Sequence, residues 1–285
     1  MPTFEVNPLK LDRVLRWSLE EDVGRADVSS WVVPPDVEVR AELTVKDGGV
    51  TSGSRVAARA FEILGCRVEV AVEDGDEVEP GDVVLTVEGR ARDVLAAERT
   101  ALNFFMRMSG IATATREVVR RVRKVNPEVR VAATRKVHPI TGFLEKKAVA
   151  DGGGDPHRFG LDDAVLIKDN HLAVVGSVRE AVKRAREIVG FTKSIGVEVE
   201  TPEDAVEAAE AGADHVLLDN MTPDRVRKAV KMVRDVDPDV ILEASGGITP
   251  SNVEEYASTG VDVISMGWLT HSAPALDASL RFEDR

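Results

Sequence analysis

The 285-residue sequence predicts an α/β protein in which an N-terminal α/β domain precedes a C-terminal α/β barrel. Between residues 37 and 89, apolar and polar residues alternate with a period of two, which is typical of half-buried strands. Residues 93–124 have the pattern of long helices. After residue 125, short apolar strands alternate with helices, which is the pattern of a parallel sheet. The predicted domains are therefore residues 1–112 and 113–285.

The N-terminal domain begins with a predicted amphipathic helix over residues 8–22, which places Leu11, Val14, Leu15 and Leu19 on one face. In the alternating region, Asp-Gly and Pro-Gly pairs supply turns between short strands. This combination predicts a small antiparallel sheet with helices beside it.

The C-terminal domain contains six predicted strands. They are Val129–Ala133, Ala164–Ile167, Ser194–Glu200, His215–Leu218, Val240–Ala244 and Val261–Met266. Predicted helices cover residues 177–189, 202–211, 223–234 and 250–258. Continuously apolar strands indicate burial on both faces. An α/β barrel carries its active site at the carboxyl ends of its strands, so the polar residues there are the candidates for function.

The composition excludes several classes of protein. A net charge of −13 is opposite to that of a typical nucleic-acid binder. No run of 18 apolar residues predicts a membrane helix, and the first ten residues lack the pattern of a secretory signal. The only cysteine, Cys66, lies in an apolar run and has no partner for an internal disulfide. We therefore expect a cytoplasmic protein.

Two basic clusters are candidate anion sites in this acidic chain. Thr134-Arg135-Lys136 directly follows a strand and offers a planar guanidinium and a compact ammonium. The segment from Gly152 to Arg158 joins three glycines, which permit close approach of the backbone to a ligand, to two donors, His157 and Arg158. The alternatives are a solvated surface pair and a flexible loop.

Charged residues also end three other strands. Lys168 follows an apolar strand, Glu198 and Glu200 alternate on one side of the next, and Asp219 closes the one after it. Charges at the ends of buried strands are costly unless they are paired or bind a metal. The carboxylates suit ribose hydroxyls or a hydrated Mg²⁺. An internal salt bridge with Lys168 or Arg135 is the alternative.

Glycine turns follow the last two strands. Ser245-Gly246-Gly247 and Gly267-Trp268 occupy the positions where such barrels often bind a phosphate through backbone N–H groups. No serine–histidine–acid triad, zinc spacing, dinucleotide fingerprint or P-loop is present. The residues therefore predict a phosphorylated sugar and a second anion as ligands.

These motifs resemble the quinolinate phosphoribosyltransferase family. The resemblance covers nearly the whole chain in order and rests on the following segments: Glu21-Asp22 to Ser29-Ser30, Ala97-Glu98-Arg99-Thr100-Ala101-Leu102-Asn103, Ser109-Gly110-Ile111-Ala112-Thr113, Thr134-Arg135-Lys136, Gly152 to Arg158, Lys168-Asp169-Asn170-His171, Glu198-Val199-Glu200, Leu218-Asp219-Asn220, Glu243 to Ile248 and Leu269-Thr270-His271-Ser272.

The resemblance implies an N-terminal α/β sandwich, an incomplete parallel α/β barrel, and a homodimer that shares its active sites and can assemble further. The implied substrates are quinolinate and 5-phosphoribosyl 1-pyrophosphate, with Mg²⁺ as cofactor and nicotinate mononucleotide, pyrophosphate and CO₂ as products. The implied catalytic residues are Lys136, Lys168, Glu200 and Asp219, and the last two would also bind the metal. The implied substrate-binding residues are Arg99 of the partner subunit, Arg135, Lys136, His157, Arg158, Lys168, Glu200, Asp219, Ser245, Gly246, Gly247, Gly267 and Trp268.

Two departures from the family pattern bear on which base is bound. The family reads Thr-Arg-Lys-Thr-Thr-Pro-Gly-Leu-Arg where this chain has residues 134–142, so its second arginine is replaced by Gly142, with His138 and Lys146 as possible substitutes. Trp268 stands where a small residue is common. Three alternatives stay open at this stage: a related phosphoribosyltransferase for another base, a sugar-phosphate isomerase or aldolase, and a non-catalytic phosphate-binding module.

Overall fold

The structure, a computed structural model, describes residues 5–283 and divides the chain into two compact units. The first unit contains residues 5–116, 137–153 and 270–283, and the second contains 117–136 and 154–269. Residues 1–4, which belong to the segment that lacks a signal pattern, and residues 284–285 lie outside the described part. The predicted division at residue 112 falls inside a long helix, α3 (Ala91–Val125), which passes from one unit into the other.

The first unit is built on a four-stranded antiparallel sheet. Its strands, in spatial order, are β12 (Ala278–Phe282), β1 (Glu38–Val45), β5 (Val83–Arg90) and β3 (Arg67–Val70). Two further strands, β2 (Gly49–Val50) and β4 (Glu77–Val78), pair with each other as a separate antiparallel ribbon. Because the C-terminal strand β12 pairs with β1, the end of the chain belongs to the N-terminal sheet, which a linear division of the sequence does not provide for.

Helices complete the first unit. The predicted N-terminal helix is confirmed as α1 (Pro8–Val23). Asn7 caps it, because the Asn7 side chain accepts hydrogen bonds from two backbone N–H groups. Helix α1 packs on α2 (Ser54–Ile63), which in turn packs on β3 and β5. The assignment of strands alone to residues 37–89 is wrong here, because Val56, Ala57, Ala60 and Phe61 are buried with helical spacing.

The first unit contains a further helix, α4 (Gly142–Asp151), that the sequence patterns did not predict. It buries charged residues, Glu145 and Lys146, so its sequence has no regular apolar stripe. Lys147, one turn from the end, forms ion pairs with Asp74 (2.8 Å) and Asp151 (2.6 Å). The burial of these paired charges explains why no amphipathic pattern indicated the helix.

The second unit contains a six-stranded, wholly parallel sheet in the order β6–β11–β10–β9–β8–β7. Its strands are β6 (Arg130–Ala132), β7 (Val165–Ile167), β8 (Ile195–Val199), β9 (His215–Asp219), β10 (Ile241–Ser245) and β11 (Val263–Ser265). All six predicted strands are confirmed to within two residues at each end. No pairing joins β6 to β7 among residues 5–283, so the parallel barrel is incomplete.

Helices connect the parallel strands. They are α5 (Asp169–Val175), α6 (Val178–Ile188), α7 (Pro202–Glu210), α8 (Pro223–Arg234) and α9 (Val253–Ala257), and a further helix, α10 (Trp268–His271), follows the last parallel strand. Ser177, Thr201 and Thr222 cap α6, α7 and α8 by accepting backbone hydrogen bonds. The helix predicted over residues 250–258 is shorter than expected, because Asn252 and Thr249 form a turn before α9 begins. Within residues 5–283, no helix is long and apolar enough to cross a membrane.

Candidate active site

The carboxyl ends of the parallel strands place the predicted polar residues along one edge of the sheet. Arg135 and Lys136 follow β6, Lys168 follows β7, and Glu200 follows β8. Asp219 and Ser245 are the last residues of β9 and β10, which are in register with each other. The second unit therefore collects most of the predicted site residues at the position where α/β barrels carry their active sites.

Lys168 is held by an acidic residue of the neighbouring strand. Its ammonium forms an ion pair with Glu198 on β8, and its backbone N–H donates to His171 Nδ1 (3.0 Å). His171 thus closes the first turn of α5 and is engaged locally. The salt bridge proposed as an alternative for Lys168 is present in the structure, with Glu198 as its partner.

Glu198 is the acidic residue that the set of predicted site residues omitted. Its side chain is largely buried beside Lys168, whereas Glu200 is exposed and its carbonyl accepts from Arg225 (2.7 Å). The two-residue alternation in Val197-Glu198-Val199-Glu200 already indicated that both acids share one side of the strand. The alternation did not show that Glu198, two residues before Glu200 in the chain, would form the ion pair with Lys168.

Asp219 lies in a crowded acidic environment. Burial, followed by the negative charges of Glu198 and Glu200, raises the pKa of Asp219 above its ordinary value, although Lys168 and Lys136 act in the opposite direction. The excess of negative charge at this strand end would attract a cation. Within the described part of the chain, no group of three or more His, Cys, Asp or Glu residues could hold a metal by itself.

Arg135 and Arg158 form the basic part of the site. Burial, followed by the positive charge of Arg135, lowers the pKa of Arg158, whereas Glu198, Glu243 and Asp163 act in the opposite direction. The guanidinium of Arg158 donates to the carbonyl of Ala164 (3.1 Å), and neither arginine has a carboxylate partner within 4 Å among residues 5–283. Two neighbouring unpaired guanidinium groups are suited to an anion with two carboxylates.

His157 uses both ring nitrogens inside the protein. Nδ1 accepts from the backbone N–H of Arg158 (2.7 Å), so the ring proton of the neutral imidazole lies on Nε2, which donates to Glu243 (3.3 Å). The residue adopts a left-handed conformation (φ 56°), and its N–H donates to Asp155 (2.8 Å). The role of His157 as a direct donor to substrate stays a prediction, because the structure gives the ring two other partners.

The glycine turn after β10 has the geometry of an anion cradle. Gly246 and Gly247 both have positive φ values, 90° and 65°. A Cβ at Gly246 would lie 2.3 Å from Asn220 Oδ1, whereas one at Gly247 would meet nothing within 4 Å. Ser245 accepts from Ser265 at the end of β11 (2.9 Å), which joins the two strand ends. Because α9 has five residues and begins at Val253, backbone N–H groups of the turn are the donors available here, and the expected helix start near Pro250 is wrong.

The two departures from the family pattern occupy defined positions. A Cβ at Gly142 would lie 2.4 Å from Val137 Cγ2, so Val137 fills the space beside it. Of the suggested substitutes, Lys146 is buried and His138 is bound to Glu145 through Nδ1 (2.6 Å). Gly267 precedes α10, which begins with the half-buried Trp268.

A cavity of about 560 Å³ lies in the first unit, and none of the predicted site residues lines it. Its walls come from α1, α3 and α4 and include Arg107, His138 and Glu145. Arg107 and His138 both bind the buried carboxylate of Glu145, so its charge is already compensated within this unit. The strand-end geometry of the second unit, rather than cavity size, identifies the candidate active site.

The remaining predicted elements lie in the first unit. Arg99 is exposed on α3. Gly152 ends α4, and a Cβ there would lie 2.5 Å from the carbonyl oxygen of Ala112 on α3. The first glycine of the Gly152-Gly153-Gly154 segment therefore serves close packing of two helices, whereas the sequence pattern predicted close approach to a ligand.

The fold and the strand-end residues define a parallel α/β barrel protein with basic and acidic side chains clustered at the carboxyl ends of its strands. Comparison with known proteins gives the family. Residues 27–109 match the N-terminal domain of quinolinate phosphoribosyl transferase, and residues 111–281 match the C-terminal domain. The chain belongs to the quinolinate phosphoribosyl transferase family.

Similar proteins cover the chain almost completely. A probable nicotinate-nucleotide pyrophosphorylase [carboxylating] from Methanothermobacter thermautotrophicus is 50% identical over 273 residues, which are 94% of this chain and 97% of that protein. One of the same name from Archaeoglobus fulgidus is 49% identical over 249 residues, 87% of this chain and 95% of that protein. The crystal structure of NadC from Streptococcus pyogenes matches with a TM-score of 0.91 and 36% identity, covering 99% of this chain and 100% of that one.

Proposed function

We propose that this chain is a carboxylating nicotinate-nucleotide pyrophosphorylase. It transfers the phosphoribosyl group of 5-phosphoribosyl 1-pyrophosphate to quinolinate and releases pyrophosphate and CO₂, which gives nicotinate mononucleotide. The observation that carries the proposal is the pair Arg135 and Arg158, two adjacent guanidinium groups without an ion pair among residues 5–283. The family membership supports the same activity.

The basic side chains orient the acceptor. Arg135 and Arg158 bind the two carboxylates of quinolinate, which fixes the direction of the ring nitrogen. Lys136 and Lys168 supply positive charge for the pyrophosphate, and Ser245, Gly246, Gly247, Gly267 and Trp268 surround the 5-phosphate. These assignments are supported by the position of the residues at the strand ends.

The acidic side chains serve the ribose. Asp219 and Glu200, with Glu198 beside them, bind the hydroxyl groups and stabilise the positive charge that develops at C1 as the bond to pyrophosphate weakens. Asp219 and Glu200 also fit a hydrated Mg²⁺, because both carboxylates lie at neighbouring strand ends, where Glu200 adds to the effect of burial in raising the pKa of Asp219. The bound ion would supply charge neutralisation for the pyrophosphate leaving group.

The chemical step needs no covalent bond to the protein. The lone pair of the quinolinate nitrogen forms the bond to C1, and the electron pair of the broken C–O bond leaves with pyrophosphate. The ring nitrogen then carries a positive charge, which stabilises the carbanion left at C2 when CO₂ departs. A proton from solvent completes the product.

Assembly and location are also part of the proposal. Arg99, exposed on α3, is proposed to enter the active site of a partner subunit in a homodimer, with higher assembly possible. A cytoplasmic location is proposed because the only cysteine, Cys66, is a buried free thiol whose pKa is raised by burial to about 11.

The test is turnover with two bases. The purified protein is incubated with 5-phosphoribosyl 1-pyrophosphate, Mg²⁺ and either quinolinate labelled at its 2-carboxylate or nicotinate. We expect labelled CO₂ and nicotinate mononucleotide from quinolinate and negligible product from nicotinate. Product from nicotinate alone would identify a phosphoribosyltransferase for another base, and binding without turnover of either would identify a phosphate-binding module.

A variant tests the acceptor site directly. Arg135→Ala leaves a carboxylate of quinolinate without its partner, which costs about 2–5 kcal/mol and lowers kcat/KM for quinolinate about 30-fold or more. The matched control is Arg184→Ala on α6, an exposed arginine that is ion-paired with Glu180, and this variant should retain activity. Normal activity of Arg135→Ala would remove Arg135 from the site.

A further inference from the structure

Glu243 is a buried carboxylate in a position that packing alone would fill with an apolar residue. It lies in the middle of β10, and 4% of its surface is exposed. Its partners in register on the neighbouring strands are Leu217 on β9 and Val263 on β11, both apolar. A carboxylate at this level of the sheet costs free energy unless it has partners. Its presence therefore calls for a specific partner.

The main partner is the ring of His157. Oε2 of Glu243 accepts from Nε2 of His157 (3.3 Å), whereas Oε1 has no hydrogen-bond partner among residues 5–283. Burial is the largest single influence and acts to raise the pKa of Glu243, but the contributions of His157, Ser265 and His215 together outweigh it, so the pKa lies below its ordinary value. The group is therefore an ionised acceptor that selects the Nε2–H form of the imidazole.

The selected form of His157 determines what the other ring nitrogen does. With its proton on Nε2, the ring leaves Nδ1 free to accept from the backbone N–H of Arg158 (2.7 Å). Asp155 holds the N–H of His157 itself (2.8 Å) and is ion-paired with Arg130. The chain at His157 is thus fixed in its left-handed conformation from both sides.

Arg158 is the residue that this arrangement positions. Its guanidinium donates to the carbonyl of Ala164 (3.1 Å) and is close to that of Arg135 without any carboxylate partner within 4 Å in the described chain. A charged side chain that must meet a substrate carboxylate loses much of its effect when it is displaced by about 1 Å. The contact of Glu243 with the His157 ring, and that of the ring with the backbone of Arg158, therefore determine the position of the Arg158 guanidinium.

We propose that Glu243 is a positioning residue of the quinolinate site, acting through the His157 ring on the backbone of Arg158. The kinetic consequence of this inference rests on the proposed function. The orientation of His157 by Glu243 does not, because the same contacts would orient the ring in a protein without this activity. Glu243 does not touch the substrate in this proposal. His157 transmits its effect.

The kinetic test compares two substitutions of Glu243. Glu243→Leu removes the acceptor and should raise the KM for quinolinate about tenfold or more, with kcat and the KM for 5-phosphoribosyl 1-pyrophosphate changed about threefold or less. Glu243→Gln keeps an acceptor for Nε2–H and should stay near the native values. Val263→Ala, the neighbour in register on β11, is the matched control: it should lower the melting temperature without changing the KM for quinolinate.

A double-mutant cycle tests whether His157 transmits the effect. His157→Asn retains a residue that tolerates the left-handed conformation but lacks the two-sided ring. If Glu243 acts through His157, Glu243→Leu should change the KM for quinolinate much less in the His157→Asn background. Fully additive changes in KM would overturn the proposal, as would a Glu243→Leu variant with a lower melting temperature and native KM values.

A spectroscopic test is independent of turnover. In protein containing ¹⁵N-labelled histidine, the ring of His157 should show the Nε2–H form in the native chain and in Glu243→Gln, and a mixture of forms in Glu243→Leu. The signals are assigned from their loss in His157→Asn. An unchanged ring in Glu243→Leu would overturn the positioning role. If the native enzyme failed to use quinolinate while the ring changed as expected, the proposed function would fail and the positioning of His157 would stand.

Discussion

Ile140 adopts a backbone conformation that a β-branched residue rarely occupies. Its φ is 69°, and the N–H of Thr141 donates to the carbonyl of Pro139 (2.7 Å), so Ile140 is the central residue of a tight turn. The related family pattern has glycine at this position. The side chain is exposed, so no burial compensates the backbone cost.

Replacing Ile140 should therefore stabilise the protein. We expect Ile140→Gly to raise the free energy of unfolding by about 1 kcal/mol, since relief of the left-handed conformation exceeds the added entropy of glycine in the unfolded chain. The measurement is the midpoint of urea unfolding. Ile140→Val, which keeps the branch at Cβ, is the control and should show no gain. An equal gain in both variants would attribute the effect to side-chain size instead.

The pKa of Asp219 should shift in opposite directions when two neighbouring charges of opposite sign are removed one at a time. The pKa of Asp219 is raised, so its carboxylate is lost at a higher pH than that of an ordinary aspartate as the solution is acidified. Glu200→Gln removes a negative neighbour and should lower this pKa, whereas Lys168→Met removes a positive one and should raise it. The carboxyl carbon of Asp219, followed by NMR and assigned with Asp219→Asn, reports both shifts.

The sign of the effect on stability follows from the same pKa. Because the folded protein binds this proton more tightly than the unfolded chain, Asp219 favours the folded state at low pH, and that contribution is lost as the pH rises through the raised pKa. Asp219→Asn should remove this part of the pH dependence. Identical midpoints in the native, Glu200→Gln and Lys168→Met proteins would show that the three charges are not coupled.

At the scale of elements, the parallel strands were predictable, whereas the helices α2 and α4 were not. The apolar runs of β8 and β9 end in charged residues, which determines both the strand and its functional end. The helix α2 was hidden because strands with a period of two lie on both sides of it. The helix α4 was hidden because its buried Glu145 and Lys146 depend on partners that are distant in sequence, such as Arg107 for Glu145.

The same limit applies to the candidate site. The strand ends identified Arg135, Lys168 and Asp219 from the sequence. That Glu198 would pair with Lys168, and that the His157 ring would have two internal partners, depends on cross-strand distances that no local pattern contains. The sequence therefore predicts which residues lie at this edge of the sheet. Which of their charges are paired within the protein depends on the three-dimensional fold.

The glycine turn after β10 allows a prediction that separates binding from folding. Gly247 has a φ of 65° and open space around its Cβ position, so a side chain there is opposed by backbone conformation rather than by a clash. Gly247→Asn, which tolerates this conformation, should fold normally. Gly247→Val should rotate the turn and withdraw its N–H groups from the 5-phosphate.

Calorimetric titration of each substrate, with a melting curve for each variant, tests this prediction. We expect Gly247→Val to weaken binding of 5-phosphoribosyl 1-pyrophosphate strongly and that of quinolinate less, because the residues proposed for quinolinate follow other strands. Gly247→Asn should bind both substrates. Equal weakening of both by Gly247→Val, with a large fall in melting temperature, would assign Gly247 a structural role only.

At the scale of the whole molecule, charge is distributed unevenly along the chain. The net charge of −13 coexists with a strand-end site that contains Arg135, Lys136, Arg158 and Lys168. Many of the acidic residues instead form exposed ion pairs, such as Arg184 with Glu180 and Lys228 with Glu203. We expect these four positive side chains to attract an anionic substrate although the average charge of the protein is negative.

The proposed sharing of active sites between subunits can be tested by mixing two inactive variants. Arg99→Ala removes the residue proposed to serve the partner's site, and Lys168→Ala removes one from the subunit's own barrel. In a hybrid dimer, one site then carries both substitutions and the other carries neither. Random exchange of equal amounts should give about a quarter of native activity, because half of the dimers are hybrids with one intact site each.

If Arg99 served its own subunit, every hybrid site would lack one residue and no activity would return. Native mass spectrometry confirms that hybrids have formed. Arg184→Ala mixed with Lys168→Ala is the control for activity lost during the mixing procedure: the intact Arg184→Ala sites should account for about half of the native activity.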